Sequence, residues 1–234
     1  MPSTPVNAKA RPMERPVNDL PPVVVALALV ATVVELALSG AGAGLWGGQQ
    51  GIGWRIAALE DYAFSPAVLD WIVSRGDVAP ELLARFVTYP FVHASFTSAL
   101  FGIALLLALG KFTGDVLHPV AMLVLFFGTA IAGALVYGAV FGGGLPLFGL
   151  WPPVYGLIGA YTYVIWLRLG QTGQNRMQAF RLIGFLLGLQ LVFGLIFGAN
   201  GHWVAELAGF AAGFALSPLL VPGGLRALRM RLRR

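Results

Sequence analysis

Apolar residues fill this chain in long runs, and its charges fall between the runs rather than within them. No Asp, Glu, Lys or Arg occurs in the 25 residues between Arg85 and Lys111, nor in the 52 residues between Asp115 and Arg168. Between Asp19 and Arg55 the only charge is Glu35, and between Arg181 and Arg226 the only one is Glu206. A bilayer core takes about 20 apolar residues per helix, and gaps of this size do not fit inside one small soluble core. The pattern predicts an all-α polytopic membrane protein with six spans, at about 22–42, 85–110, 118–141, 154–169, 180–199 and 203–221. A secretory signal peptide is the competing reading of the first run. Its apolar region would be only about 7–15 residues long, and this run is longer.

The connections carry their own pattern. Residues 1–20 are polar, with Pro2, Pro5, Pro12 and Pro16 spread among charges, and read as a disordered tail ahead of a membrane domain at 21–222. Residues 223–234 form a basic C-terminal tail. The long first loop holds two pieces, Gly53 to Tyr62 and Pro66 to Val73, each too short to span and each with an apolar side. Such pieces lie in the membrane interface, where Trp54 and Trp71 suit headgroup depth. The loop Gly142 to Leu150 has no charge and four glycines. An aqueous loop would be polar, whereas irregular backbone buried in protein at membrane depth looks like this. It is therefore expected to be re-entrant, with the short fourth span starting inside the bilayer. Pro152 and Pro153 stand just before that span's first turn, where proline is tolerated.

Composition narrows the class. Apolar residues make up 58% of the chain and charged residues 11%, against about 25% charged in a soluble domain. Soluble, disordered and collagen-like chains are excluded. The absence of cysteine excludes disulfides, thiolate catalysis and cysteine-based metal sites. A net charge of +5 would suggest nucleic acid in a soluble protein. Here the basic residues sit at membrane edges and report orientation instead, so no nucleic-acid partner is expected. Six spans put both termini on one side, and 12 of the 15 basic residues fall there. That side is the cytoplasm by the positive-inside rule; the other side has only Arg55, Arg75 and Arg85. The compact basic core suggests a bacterial inner membrane, with membrane lipid as one partner.

Local motifs add a resemblance. Trp54-Arg55 follows the first span, and Phe91-Val92-His93-Ala94-Ser95-Phe96 opens the second, which closes on Gly110 and Asp115. Tyr155-Gly156-Leu157-Ile158-Gly159-Ala160 lies in the fourth span, and Ala205-Glu206-Leu207-Ala208-Gly209-Phe210-Ala211-Ala212-Gly213 in the sixth. In order and setting these resemble the motifs of the rhomboid family, six-span intramembrane serine proteases, over residues 50 to 220. The resemblance implies a six-helix bundle with a long first loop and a re-entrant loop before a short fourth helix.

It also implies catalytic residues that are not there. The family nucleophile lies in Gly-x-Ser-Gly, five residues before the glycine occupied here by Gly156, which gives Gly149-Leu150-Trp151-Pro152. Trp151 thus takes the serine position, and Glu206 takes that of the histidine base. The two side chains that help bind the oxyanion map onto Ser98 and Gly102. Serine catalysis needs an Oγ within reach of a base, and an indole offers only an N–H donor. None of the seven serines lies in the loop or at the top of the fourth span. The expectation is a catalytically inactive rhomboid-like protein.

Individual residues admit two readings each. Glu206 is an ionisable group in an apolar helix, hence a functional candidate, or a protonated structural one. His202 is one turn earlier and close enough to pair with it, or marks the interface. The two are too few for a metal site, and no cofactor is expected. Glu35 pairs with another span or a partner, or snorkels to the nearby interface. His93 is expected to be a satisfied core histidine. Trp151 plugs the site, or contacts lipid or peptide. Gly156, Gly159, Gly209 and Gly213 permit close approach of the fourth and sixth helices, or dimerisation. Arg226, Arg229, Arg231, Arg233 and Arg234 fix topology and offer an anionic-lipid contact.

Three functions compete. The first is non-catalytic binding of transmembrane clients, as in the inactive branches of the superfamily. The second is an intramembrane protease with a rearranged active site. The third is a fixed accessory subunit of a larger membrane complex.

Overall fold

A computed structural model describes residues 20–197, 201–222 and 224. The expected tails, except Leu20 and Gly224, and the end of the fifth span lie outside these residues. Ten α-helices are described: α1 (Pro22–Gly42), α2 (Gly48–Gly51), α3 (Trp54–Tyr62), α4 (Pro66–Arg75), α5 (Pro80–Thr88), α6 (Phe96–Gly114), α7 (Pro119–Val140), α8 (Trp151–Gln171), α9 (Arg181–Phe197) and α10 (Trp203–Leu220). Among the described residues there is no strand. Four helices, α1, α6, α7 and α10, are long and apolar enough to cross a membrane.

Two span boundaries differ from the hydropathy reading. The second does not begin at Arg85. The amphipathic α5 ends at Thr88, a 3-10 turn covers Tyr89–Phe91, and Val92 is extended before α6 starts at Phe96. Pro90 lacks the N–H that a continuous helix needs, and Ser95 caps α6 by accepting the Ser98 N–H at 3.3 Å. Absence of charge marked the apolar run but not this break. The fourth helix, conversely, is not short. It starts at Trp151 and has 21 residues, because Pro152 and Pro153 sit within its first turn, where N–H groups lack helical partners anyway.

The main core forms around α8. Every residue from Pro152 to Ala160 is buried, as expected of a helix surrounded by others. Its neighbours are α10, α7 and α6. A Cβ at Gly159 would overlap the Phe210 backbone, at Gly209 the Pro152 carbonyl, and at Gly213 the Gly156 carbonyl. Gly156 packs instead against the Thr129 side chain of α7. Glycine lets these backbones touch, which is how helices gain contact when lipid removes the hydrophobic drive.

A second core fastens the first loop to the helices. Phe64, Val68, Phe86 and Tyr89 bury against Ala130, Ala134, Tyr137, Leu147 and Ala205. The Arg85 guanidinium donates to the carbonyls of Glu60 and Ala63 at 2.7 and 3.1 Å, tying α5 to the end of α3. The outer sides stay exposed, with Trp54 and Trp71 each 42% accessible.

Candidate functional site

The loop before α8 is held at both ends of its buried portion. Phe64 and Leu147 exchange backbone hydrogen bonds at 2.9 and 2.7 Å. The Gly149 N–H donates to the Tyr89 carbonyl at 2.9 Å, and the Tyr137 hydroxyl to the Leu145 carbonyl at 2.8 Å. Gly149 has φ +89°, a left-handed conformation that suits glycine. This turn drops Leu150 into the core and puts Trp151 at the first position of α8.

Trp151 is half-buried, and its indole N–H points to Ser98 Oγ at 3.5 Å. One turn further along α6, a Cβ at Gly102 would stand 3.1 Å from Leu150 Cβ and 3.7 Å from His93 Nε2. Leu150 therefore occupies the space over Gly102. Trp151, Ser98, Gly102 and His93 come together at this corner. The first turn of α8 carries proline at its second and third positions, so neither offers an N–H there.

The Glu206 carboxyl is buried near the start of α10. Gln190 of α9 donates its amide to Glu206 Oε2 at 2.5 Å, and the Tyr155 hydroxyl of α8 faces the same group. Three helices converge on one carboxyl. The His202 ring lies edge-on to Tyr137 and Phe148, with centroids at 5.7 and 5.2 Å.

A third cluster joins the first loop to α1. Arg55 grips Glu35 with two N–H groups at 2.6 and 3.2 Å. It also donates to Ser39 Oγ at 2.9 Å and to the His93 carbonyl at 2.7 Å, while Ser39 donates to Glu35 at 2.6 Å. Glu35 is 2% exposed, so its carboxylate is buried against Arg55 rather than snorkelling to the interface. His93 is fully buried, but among the described residues neither ring nitrogen has a hydrogen-bond partner. It is a core histidine without the expected satisfaction. Burial pushes its pKa down to about 4, despite the nearby Glu35 charge, so the ring is neutral near pH 7.

The family model described as Rhomboid domain matches residues 80–223, more than half of the chain. The chain belongs to the rhomboid family. No curated protein matches it.

Trp151 and Ser98, which the motif reading expects at the nucleophile and an oxyanion position, lie against each other in this rhomboid, the indole N–H of the first pointing to Oγ of the second. Sequence reasoning missed Gln190, Leu150 and the Glu35–Arg55 pairing. Gln190 did leave a signal, as the one polar residue between Leu182 and Phe197. Leu150 left none, since an apolar residue beside a glycine looks like any other in this chain.

Proposed function

We propose that this rhomboid is a six-span, non-catalytic protein that binds transmembrane clients, with α8 and α9 crossing the bilayer alongside the four apolar helices. In this reading the Gly142–Leu150 loop is re-entrant, and both termini face the cytoplasm of a bacterial inner membrane. The observation that carries it is the Trp151–Ser98 contact. The residue at the nucleophile position offers only an N–H donor, and it spends that donor on a residue that would otherwise face an oxyanion.

The rest of the corner supports the same reading. Acyl transfer depends on preorganised donors aimed at the oxyanion, and here Gly102 has no side chain, Leu150 fills the space above it, and two prolines stand in the adjoining turn. At the base position, the Glu206 carboxyl is committed to Gln190. Meanwhile the glycine packing and the Arg55 clamp give a rigid bundle fit to present a surface.

The test uses the reconstituted chain with a serine-directed activity probe and a model transmembrane substrate. We expect neither labelling nor cleavage. Labelling that disappears when one serine is replaced would overturn the proposal. Purification in mild detergent then separates client binding, with varied substoichiometric partners, from a fixed subunit, with one stoichiometric partner.

A further inference from the structure

The connection from α8 to α9 brings cations together without an acid. Between Asp115 and Glu206 the chain has no Asp or Glu, while Arg168, Arg176 and Arg181 all fall at this connection. It is packed rather than loose. A 3-10 turn, Arg176–Phe180, lies against α8, with Ala179 buried and Phe180 against Phe210 and Phe214 of α10. The turn puts the Arg176 guanidinium over the Trp166 ring, 4.8 Å from its centroid, and over Gly170, in space that a Cβ would fill. Trp166 is itself fixed by Tyr163, stacked at 6.1 Å, and by Phe214. Among the described residues Arg176 has no acidic partner; the ion pair formed there is Arg55 with Glu35. A second stack, Arg75 on Trp71, differs in that the Trp71 N–H donates to Asp77, so that site holds its own acid.

We propose that Arg176, resting on Trp166, seats the phosphate of an anionic phospholipid at the cytoplasmic end of α8. The inference takes α8 and α9 as spans and does not depend on client binding. An arginine already held on a ring loses little further freedom when it binds, and its edge N–H groups fit two phosphate oxygens at once. Arg168 and Arg181, both exposed, add to the local attraction for negative charge. The headgroup is anionic overall, because the ammonium of a zwitterionic one would find no carboxylate on this connection. Gln171 and Gln178 are exposed there and suit headgroup hydroxyls such as those of glycerol. A free phosphate shares the chemistry of the contact. The lipid is favoured because the seat stands at the end of a span, where tryptophan lies at headgroup depth, and because Met177 and Phe185 expose apolar surface nearby in sequence.

The chain has no native cysteine, so Gln174→Cys places a single fluorophore at an exposed position of the connection. The full chain is set in phosphatidylcholine nanodiscs doped with phosphatidylglycerol or phosphatidylcholine that carries a nitroxide quencher high on one acyl chain. Quenching should show a preference of about fivefold for phosphatidylglycerol, the factor expected of one basic residue near the surface. Arg176→Gln should remove that preference. Lys111→Gln, which takes the same charge from the same side, should keep it. Arg176→Lys loses the fork, and Trp166→Leu loses the ring beneath it, so each should retain only part. Equal quenching by the two lipids overturns the proposal. So does a loss in Lys111→Gln as large as in Arg176→Gln, or full retention in Arg176→Lys, since either reduces the seat to general surface charge. Inorganic phosphate that binds through Arg176, with no preference between the lipids, would assign the seat to a soluble phosphate and overturn the lipid.

Discussion

Arg55 donates four side-chain hydrogen bonds, and its removal has a calculable consequence. Its guanidinium holds Glu35, Ser39 and the His93 carbonyl together. Arg55→Ala would leave Glu35 buried and unpaired, a change that costs about 3–5 kcal/mol for a buried pair. The Arg55 side chain is 21% exposed, which favours the lower end of that range. A thermal melt in detergent should show a clear fall, and Arg55→Lys should recover only part of it, because an ammonium cannot reproduce the two-pronged grip. His93 makes a separate pH prediction. Its folded pKa of about 4 lies below the ordinary 6.5, so between those values the unfolded chain binds more protons than the folded one. Stability is therefore present in full above pH 6.5 and is lost as pH falls toward 4, by up to about 3 kcal/mol. Melts across that window should slope less in His93→Gln than in the parent chain. An equal slope in both would remove His93 as the cause.

At the scale of elements, the α8–α10 seam and α9 give opposite predictions for the same substitution. Gly209→Ala and Gly213→Ala push a methyl into backbone carbonyls that cannot move aside, and overpacking of this kind costs about 1–3 kcal/mol. Gly188→Ala meets open space and should be neutral or stabilising by up to about 1 kcal/mol, since alanine is the better helix former. Detergent-resistance or melting curves of the three variants check the contrast. The seam was legible in the sequence because small residues three and four apart on two spans have few other uses in a membrane. The α5–α6 break was not. Hydropathy sums over a window, and Pro90 with the Ser95 cap changes direction without adding a charge. The pattern sets the three residues at the start of α8 outside the helix for the related reason that two prolines look like an interruption, although a first turn accommodates both. Long-range pairs such as Glu35 with Arg55 were hidden because a one-dimensional pattern shows each charge as isolated.

For the whole molecule, the proposed lack of catalysis would reside either in one pair of positions or in the architecture around them. If only the dyad were missing, Trp151→Ser with Glu206→His would restore proteolysis. The geometry argues that it would not. Glu206 lies where Gln190 and Tyr155 converge, so a histidine there inherits partners that compete with a serine for its nitrogen. The oxyanion would face Ser98, a glycine covered by Leu150, and two prolines without N–H groups. Losing a single oxyanion donor costs about 10²–10³ in rate, and several are absent together. Adding Gly102→Asn brings its own cost, because its Cβ would stand 3.1 Å from Leu150 Cβ, tighter than an ordinary contact. We expect the double variant in nanodiscs to cleave a model transmembrane substrate no faster than Trp151→Ala with Glu206→Ala. Cleavage above that background would place the loss in two residues. Its absence would place the proposed inactivity in the fold around them, where Leu150, Pro152 and Pro153 are buried at the same corner.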